Sequence, residues 1–184
     1  MTFIFITVIL ILWELSGRLL NIPEYILPLP ISITKALIGN FSLLLSHGKY
    51  TVLAALMGLL AAVLFALIIS YFMDKFQPIK KMLYPLLVVS QTIPIVALAP
   101  IMMIWFGLGI APKVFTVALV CFFPLSINIT EGLANTSRDE IELLKVMGGT
   151  PMQIFKHIQL PSTLPYFFSG LKISATYSVM GAVI

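Results

Sequence analysis

The sequence predicts an all-α polytopic membrane protein, and three observations carry that prediction. Of 184 residues, 60% are hydrophobic and only 10% charged, against about 25% charged in a soluble domain. Residues 51–73, 82–112 and 114–130 contain no Asp, Glu, Lys or Arg, giving runs of 23, 31 and 17 residues. The 11 basic and 7 acidic residues fall between these runs instead of forming a patch. A soluble fold of this size could not hide so much apolar surface. A bilayer accepts it, provided the backbone satisfies its own hydrogen bonds, as a helix does. The net charge of +4 comes without a basic patch, which excludes a nucleic-acid surface. Nothing marks an attached soluble domain or an internal repeat, so residues 1–184 read as one transmembrane domain.

A helix needs about 20 residues to cross the hydrocarbon core, and five crossings are expected in order. Met1 to Leu20 is the first and weakest, since Glu14 and Arg18 interrupt its far end. It has no basic lead and no small-residue cleavage site, so it reads as a retained helix and not as a signal peptide. Asn21 to Lys49 follows as a connecting stretch: Pro23, Pro28 and Pro30, then Ile31, Ile33, Leu37 and Ile38, a proline-rich lead-in to a short surface helix. Thr51 to Met73 is the second crossing.

The third, Met82 to Pro112, carries Pro85, Pro94 and Pro100, with Ser90, Gln91 and Thr92 in the middle. Proline removes a backbone donor and kinks a helix. Polar side chains at mid-membrane depth must face protein or water. Two readings fit: a bent helix whose Ser90, Gln91, Thr92 and Pro94 line a pathway, or hydroxyls that bond carbonyls freed by proline. Pro124, Ser126 and Asn128 in the fourth crossing, Val114 to Thr130, lean toward packing. Pro165 to Ile184 is the fifth, with Lys172 near its start; it ends inside an apolar run, which predicts that a last helix is missing by truncation.

Loop charges orient the chain. Residues 74–81 hold Lys75, Lys80 and Lys81, and residues 131–161 hold Arg138, Lys145 and Lys156. The opposite side holds Arg18, Lys35, Lys49 and Lys113. The N-terminus and the loops 74–81 and 131–161 are therefore expected in the cytoplasm.

Loop 131–161 is the most informative segment. Ser137 followed by Glu140 fits a capping box, with Asp139 adding negative charge to the first turn. Ile141, Leu144 and Met147 give an apolar stripe at helical spacing. Gly148 and Gly149 stop that helix, because glycine accepts the left-handed cap. Thr150 and Pro151 restart a second as cap and first residue, with Ile154, Phe155 and Ile158 on its apolar face. Pro161 and Pro165 are expected to close the loop. Two amphipathic helices in water need cover, either a hydrophobic groove on a partner or the ends of the membrane helices.

Residues Glu142-Leu143-Leu144-Lys145-Val146-Met147-Gly148, nine further residues, then Ile158-Gln159-Leu160-Pro161 resemble the EAA motif of binding-protein-dependent ABC permeases. That motif runs Glu-Ala-Ala, three residues, Gly, nine residues, Ile-x-Leu-Pro. Five fixed residues match at the family spacing, with chance odds on the order of 10⁻⁴ from average residue usage. Leu143 and Leu144 replace the two alanines and make the helix face bulkier. Leu27-Pro28-Leu29-Pro30 and Trp105-Phe106-Gly107 resemble the nitrate, sulfonate and taurine branch. Ser90-Gln-Thr-Ile-Pro94 and Tyr177-Ser-Val-Met-Gly181 resemble permeases for hydroxymethylpyrimidine-type thiamine precursors.

The resemblance implies a type I ABC importer transmembrane domain (MetI-like) with one more helix in relatives. It implies a non-catalytic permease in the bacterial inner membrane, working as a homodimer with a cytoplasmic ABC ATPase and a periplasmic or lipid-anchored solute-binding protein. Loop 131–161 becomes the coupling element. Leu143, Leu144 and Met147 would fill the ATPase groove, and Gly148 would allow the reversal. Glu142 would pair with the ATPase or within the loop, and Ile158, Leu160 and Pro161 would set where the chain re-enters the membrane. The expected solute is a thiamine-precursor pyrimidine, with sulfonate, taurine or nitrate as alternatives.

No cofactor is expected. Cys121 is alone and lies in an apolar run, and His47 and His157 lack metal-spaced partners. Gly48-Lys49-Tyr50 fails as a phosphate loop, lacking Ser or Thr after Lys49 and an earlier glycine, where Leu43 stands. A gradient-driven transporter would want ionisable residues inside the spans, and the three longest runs have none. A membrane enzyme would want clustered acids, histidines or a nucleophile, and none cluster.

Overall fold

A computed structural model describes residues 1–20 and 22–184, Phe3 by its backbone alone. Asn21, where the sequence places the start of the connecting stretch, lies outside the described residues. Among the described residues every regular element is helical. The chain divides into two units, Met1–Lys49 and Tyr50–Ile184.

The first unit holds α1 (Thr2–Leu19), α2 (Pro30–Gly39) and the start of α3 (Phe41–Lys75). The two charges that weaken the first apolar run have a structural use. Glu14 pairs with Arg18 at 2.6 Å, one helical turn away. Its second oxygen accepts the Ile31 N–H at 3.1 Å, satisfying one of the orphan donors at the start of α2. Pro30 opens α2, as its fixed φ and missing donor favour. No residue of α2 is buried, in keeping with the expected short surface helix.

The second unit is built on α6 (Ile110–Ala134), which packs most extensively along α9 (Leu160–Val183) and also against α4 (Gln77–Ser90) and α5 (Ile95–Phe106). The reason α3 also reaches α6 lies in a row of small residues. Ala54, Gly58, Ala62, Ala66 and Ser70 recur every fourth residue and are all buried. Hydrocarbon supplies little drive for helices to associate, so close backbone approach and polar contacts must do it. A Cβ on Gly58 would lie 2.5 Å from Val117 Cβ and 2.8 Å from the Val114 carbonyl oxygen. The Ser70 hydroxyl donates to the Ser126 carbonyl at 3.0 Å. On the other side of α6, Cys121 Sγ donates to the Ser174 carbonyl (3.1 Å) and Ser174 Oγ to the Cys121 carbonyl (3.0 Å).

Asn128 donates to the Pro124 carbonyl within its own helix at 2.8 Å. Its Cβ also lies against α9, 2.9 Å from where a Cβ on Gly170 would fall.

The third apolar run differs from a kinked helix. It breaks between Ser90 and Ile95 into α4 and α5, bent by 105°. Pro85 and Pro100 stay inside their helices, whereas Pro94 lies past the end of α4 and caps the start of α5. A residue before proline is pushed toward extended backbone. Here the turn tightens first: Gln91, Thr92 and Ile93 donate to the carbonyls three residues back, the 3₁₀ pattern common at helix ends. Gly107, at φ 74°, then ends α5.

By length and composition, α3 and α6 suffice to cross a membrane, and the α4–α5 pair does if taken as one broken span. Helices also stand where the first and fifth crossings are expected: α1 with 18 residues and α9 with 24.

Candidate coupling loop and pathway pocket

The loop that follows α6 is ordered by its own punctuation. Ser137 caps α7 (Arg138–Val146), accepting the Glu140 N–H at 3.4 Å, so one half of the expected capping box is formed. Asp139 and Glu140 occupy the first turn and Lys145 the last, each sign matched to the helix dipole. Gly148 sits at φ 81°, where L side chains are strained. Its N–H bonds the Lys145 carbonyl (3.0 Å), and the Gly149 N–H reaches the Leu144 carbonyl (2.8 Å). Those two bonds are the Schellman closure of a helix.

Thr150 then caps α8 (Pro151–Ile154) with a complete box. The Gln153 N–H donates to Thr150 Oγ1 at 3.3 Å, and the Thr150 N–H donates to Gln153 Oε1 at 2.7 Å.

Beyond α8 the structure departs from expectation. Pro161 and Pro165 do not close the loop; both lie within α9, which starts at Leu160. A wider π-turn, Phe155–Gln159, joins α8 to α9 without a break. The Leu160 N–H reaches back to the Phe155 carbonyl, and Pro161 has no N–H to place. Ser162 and Thr163 hydroxyls take the carbonyls of Ile158 (2.8 Å) and Gln159 (2.7 Å). The loop is thus continuous with a helix packed along α6.

Its outer face is apolar. Leu143 is 62% exposed, Val146 87%, Met147 73% and Met152 72%. Leu144, expected beside Leu143 and Met147 on that face, is half-buried; its side chain lies where a Cβ on Gly149 would fall, 2.7 Å from Leu144 Cγ. Val146 and Met152 extend the exposed surface in its place, and spacing alone had singled out neither. Ile154 is buried, and Phe155 and Ile158 are half-buried, so these turn toward the protein. Glu142 is exposed and, among the described residues, forms no ion pair. At the base of the loop Tyr84 of α4 donates to Glu131 Oε1 of α6 at 2.9 Å, a link that no motif signalled.

The break between α4 and α5 opens a pocket of about 240 Å³. Ser90, Gln91, Thr92 and Pro94 line it, together with Val120, Phe123 and Pro124 of α6 and Tyr177 of α9. Ser90 Oγ donates to the Leu86 carbonyl (2.6 Å) and Thr92 Oγ1 to the Val89 carbonyl (2.8 Å), so those two serve the backbone. The Gln91 side-chain amide makes no hydrogen bond among the described residues, its backbone N–H going to the Val88 carbonyl (3.3 Å). Two segments far apart in sequence, 90–94 and 177, thus share one wall-to-wall site. No cluster of His, Cys, Asp or Glu that would hold a metal occurs among the described residues.

The described helices centre on α6, and the capped loop that follows it presents apolar side chains outward. The chain belongs to the family of binding-protein-dependent transport system inner membrane components, whose model matches residues 54–184. It is similar to the formylaminopyrimidine transport permease protein ThiX of Halalkalibacterium halodurans, 38% identical over 98% of this chain and 72% of that protein. A probable ABC transporter permease protein of Haemophilus influenzae is 35% identical over 96% and 72%. The riboflavin transport system permease protein RibX of Chloroflexus aurantiacus is 32% identical over 96% and 66%. The chain is therefore the non-catalytic, membrane-embedded subunit of an ABC importer, whose partners are a separate ATPase and a solute-binding protein.

Proposed function

We propose that this permease imports a hydroxymethylpyrimidine-type thiamine precursor, working as a homodimer across the inner membrane. The observation that carries the solute is the 38% identity, over nearly the whole chain, to a permease named for formylaminopyrimidine. The pocket agrees with it. Its lining residues carry no charge, whereas a sulfonate, taurine or nitrate would need its charge met once out of water. The six-to-four distribution of loop bases supports a topology with the N-terminus and the loops 74–81 and 131–161 in the cytoplasm.

Coupling then runs through residues 142–161. Leu143 and Met147, joined by Val146 and Met152, enter a groove of the ATPase. Gly148 sets the reversal, Glu142 is free to meet a base on the partner, and Leu144 braces the turn from within. Ile158, Leu160 and Pro161 carry the ATPase movement through the π-turn into α9. The spans rock about the α6–α9 core, exposing the pathway at Ser90, Gln91, Thr92 and Pro94 to either side in turn.

The test is reconstitution of the permease with its ATPase and binding protein in vesicles. Uptake of labelled hydroxymethylpyrimidine, dependent on ATP and the binding protein and resistant to excess taurine or riboflavin, is the expected result. Uptake of taurine in its place would refute the solute. ATP hydrolysis that never responds to the permease would refute the coupling.

A further inference from the structure

We propose that the pocket at the α4–α5 break is where the permease itself contacts its solute, and that Gln91 reads a flat, uncharged heterocycle there. The proposal rests on the pyrimidine reading above and adds a site and a reading group to it.

Depth is the first argument. Gln91 follows Lys81 by ten helical positions along α4, a rise of about 15 Å and half of the roughly 30 Å hydrocarbon core. α6 and α9 run antiparallel, with Cys121 bonded to Ser174, so Phe123 and Tyr177 stand near the same level. A solute crossing the membrane passes its most costly point there. Irregular backbone is tolerated at that depth only where it is buried in protein or lines a cavity, and residues 91–94 line one.

Chemistry is the second. The Ser90 and Thr92 hydroxyls are spent on local carbonyls, while the Gln91 amide is not. An amide offers an acceptor beside two donors. An aminopyrimidine presents the complement, an amino donor next to a ring-nitrogen acceptor, the pairing by which Gln or Asn reads adenine bidentately. Phe123 and Tyr177 supply aromatic faces for a flat ring.

Size and charge narrow the class. Clefts for drug-sized ligands run from roughly 300 Å³ upward. About 240 Å³ is on the scale of a single substituted ring. No Lys, Arg or His lines the site to hold an anion.

The experiment uses the complete transporter in vesicles with labelled hydroxymethylpyrimidine as probe. Gln91 is exposed in the chain, so Gln91→Leu keeps the size and removes the amide without disturbing packing. Its uptake should fall about tenfold, the loss expected for one paired polar edge. Hydrolysis stimulated by the binding protein should stay near wild type. Undiminished uptake by Gln91→Leu, in a wild type that does import the pyrimidine, overturns the pocket assignment alone. A wild type that imports taurine and no pyrimidine overturns the solute reading and this proposal with it.

Discussion

The coupling loop and the pocket at the broken span lie at two levels of the same helix, α6, yet they are specified in opposite ways. The loop is written in consecutive residues whose jobs are mostly backbone jobs. Ser137 and Thr150 cap, Gly148 turns left-handed, and Pro151 and Pro161 sit where a missing N–H does no harm. The pocket is written in side chains from α6 and α9 and from the α4–α5 break and α5's first turns. A loop built this way would present the same shape whatever the solute, as docking on a motor would require. A pocket built from side chains on a fixed backbone would change its solute by substitution, without touching that loop.

The sharpest way to break that separation is to attack what both regions share. Gly58→Leu forces a side chain into Val117 and the Val114 backbone, so α3 must part from α6. Overpacking of this kind costs about 1–3 kcal/mol, occasionally more. The expected outcome is loss of monodisperse protein after solubilisation, with both functions gone together. Next in size is Val146→Asp with Met147→Asp on the exposed face of the loop. Both side chains are largely exposed, so insertion and fold should be unchanged, while uptake falls more than tenfold because a groove would have to bury two carboxylates. Pull-down of the ATPase by the variant at wild-type levels would count against the docking face.

Those two regions also differed in how far they could be read in advance. The loop's caps and its Glu142-to-Pro161 spacing were legible because each signal is local: a residue type with one conformational preference at one position. Leu144 was misplaced because periodicity gives a helix face but not which neighbour covers it, and Gly149 covers it here. The prolines at 161 and 165 read as stops, yet a π-turn absorbed the first and α9 continued through the second. In the broken span Ser90, Gln91, Thr92 and Pro94 stood out as polar or helix-breaking residues in apolar surroundings. Nothing local joined them to Phe123 and Tyr177, since that requires the packing of α6. The α3 stripe of small residues lies at four-residue spacing, but alanines inside an apolar run carry no signal of their own until a partner helix is known.

A smaller effect separates strain from docking inside the loop. A Cβ at Gly148 meets nothing within 4 Å, so only its φ of 81° resists substitution. Gly148→Val then pays about 1–2 kcal/mol of backbone strain, and uptake should drop roughly tenfold at unchanged expression. Gly148→Asn, whose side chain tolerates the left-handed region, should retain most transport. Equal loss in both variants would mean that the partner, and not the turn, excludes a side chain there.

The smallest expected effect asks whether the two regions communicate by a direct link. Tyr84 lies on α4, the helix that leads to the pocket, and its hydroxyl donates to Glu131 at the foot of the coupling loop at 2.9 Å. Tyr84→Phe removes that bond and no volume to speak of. A hydrogen bond to a charged group contributes about 1.5–3 kcal/mol when shielded. Glu131 is exposed in this chain, so the lower end or less applies. If the link carries motion from the loop to the broken span, solute moved per ATP should fall a few-fold while hydrolysis holds steady, because the motor is untouched and only its transmission is loosened. If instead the stroke travels through α9 by way of the π-turn, Tyr84→Phe should leave the ratio unchanged, and Ser174→Ala, which breaks one of the two α6–α9 bonds, should lower it. Measuring both variants in one vesicle preparation assigns the route, because the two bonds lie on different faces of α6 and neither substitution disturbs the other.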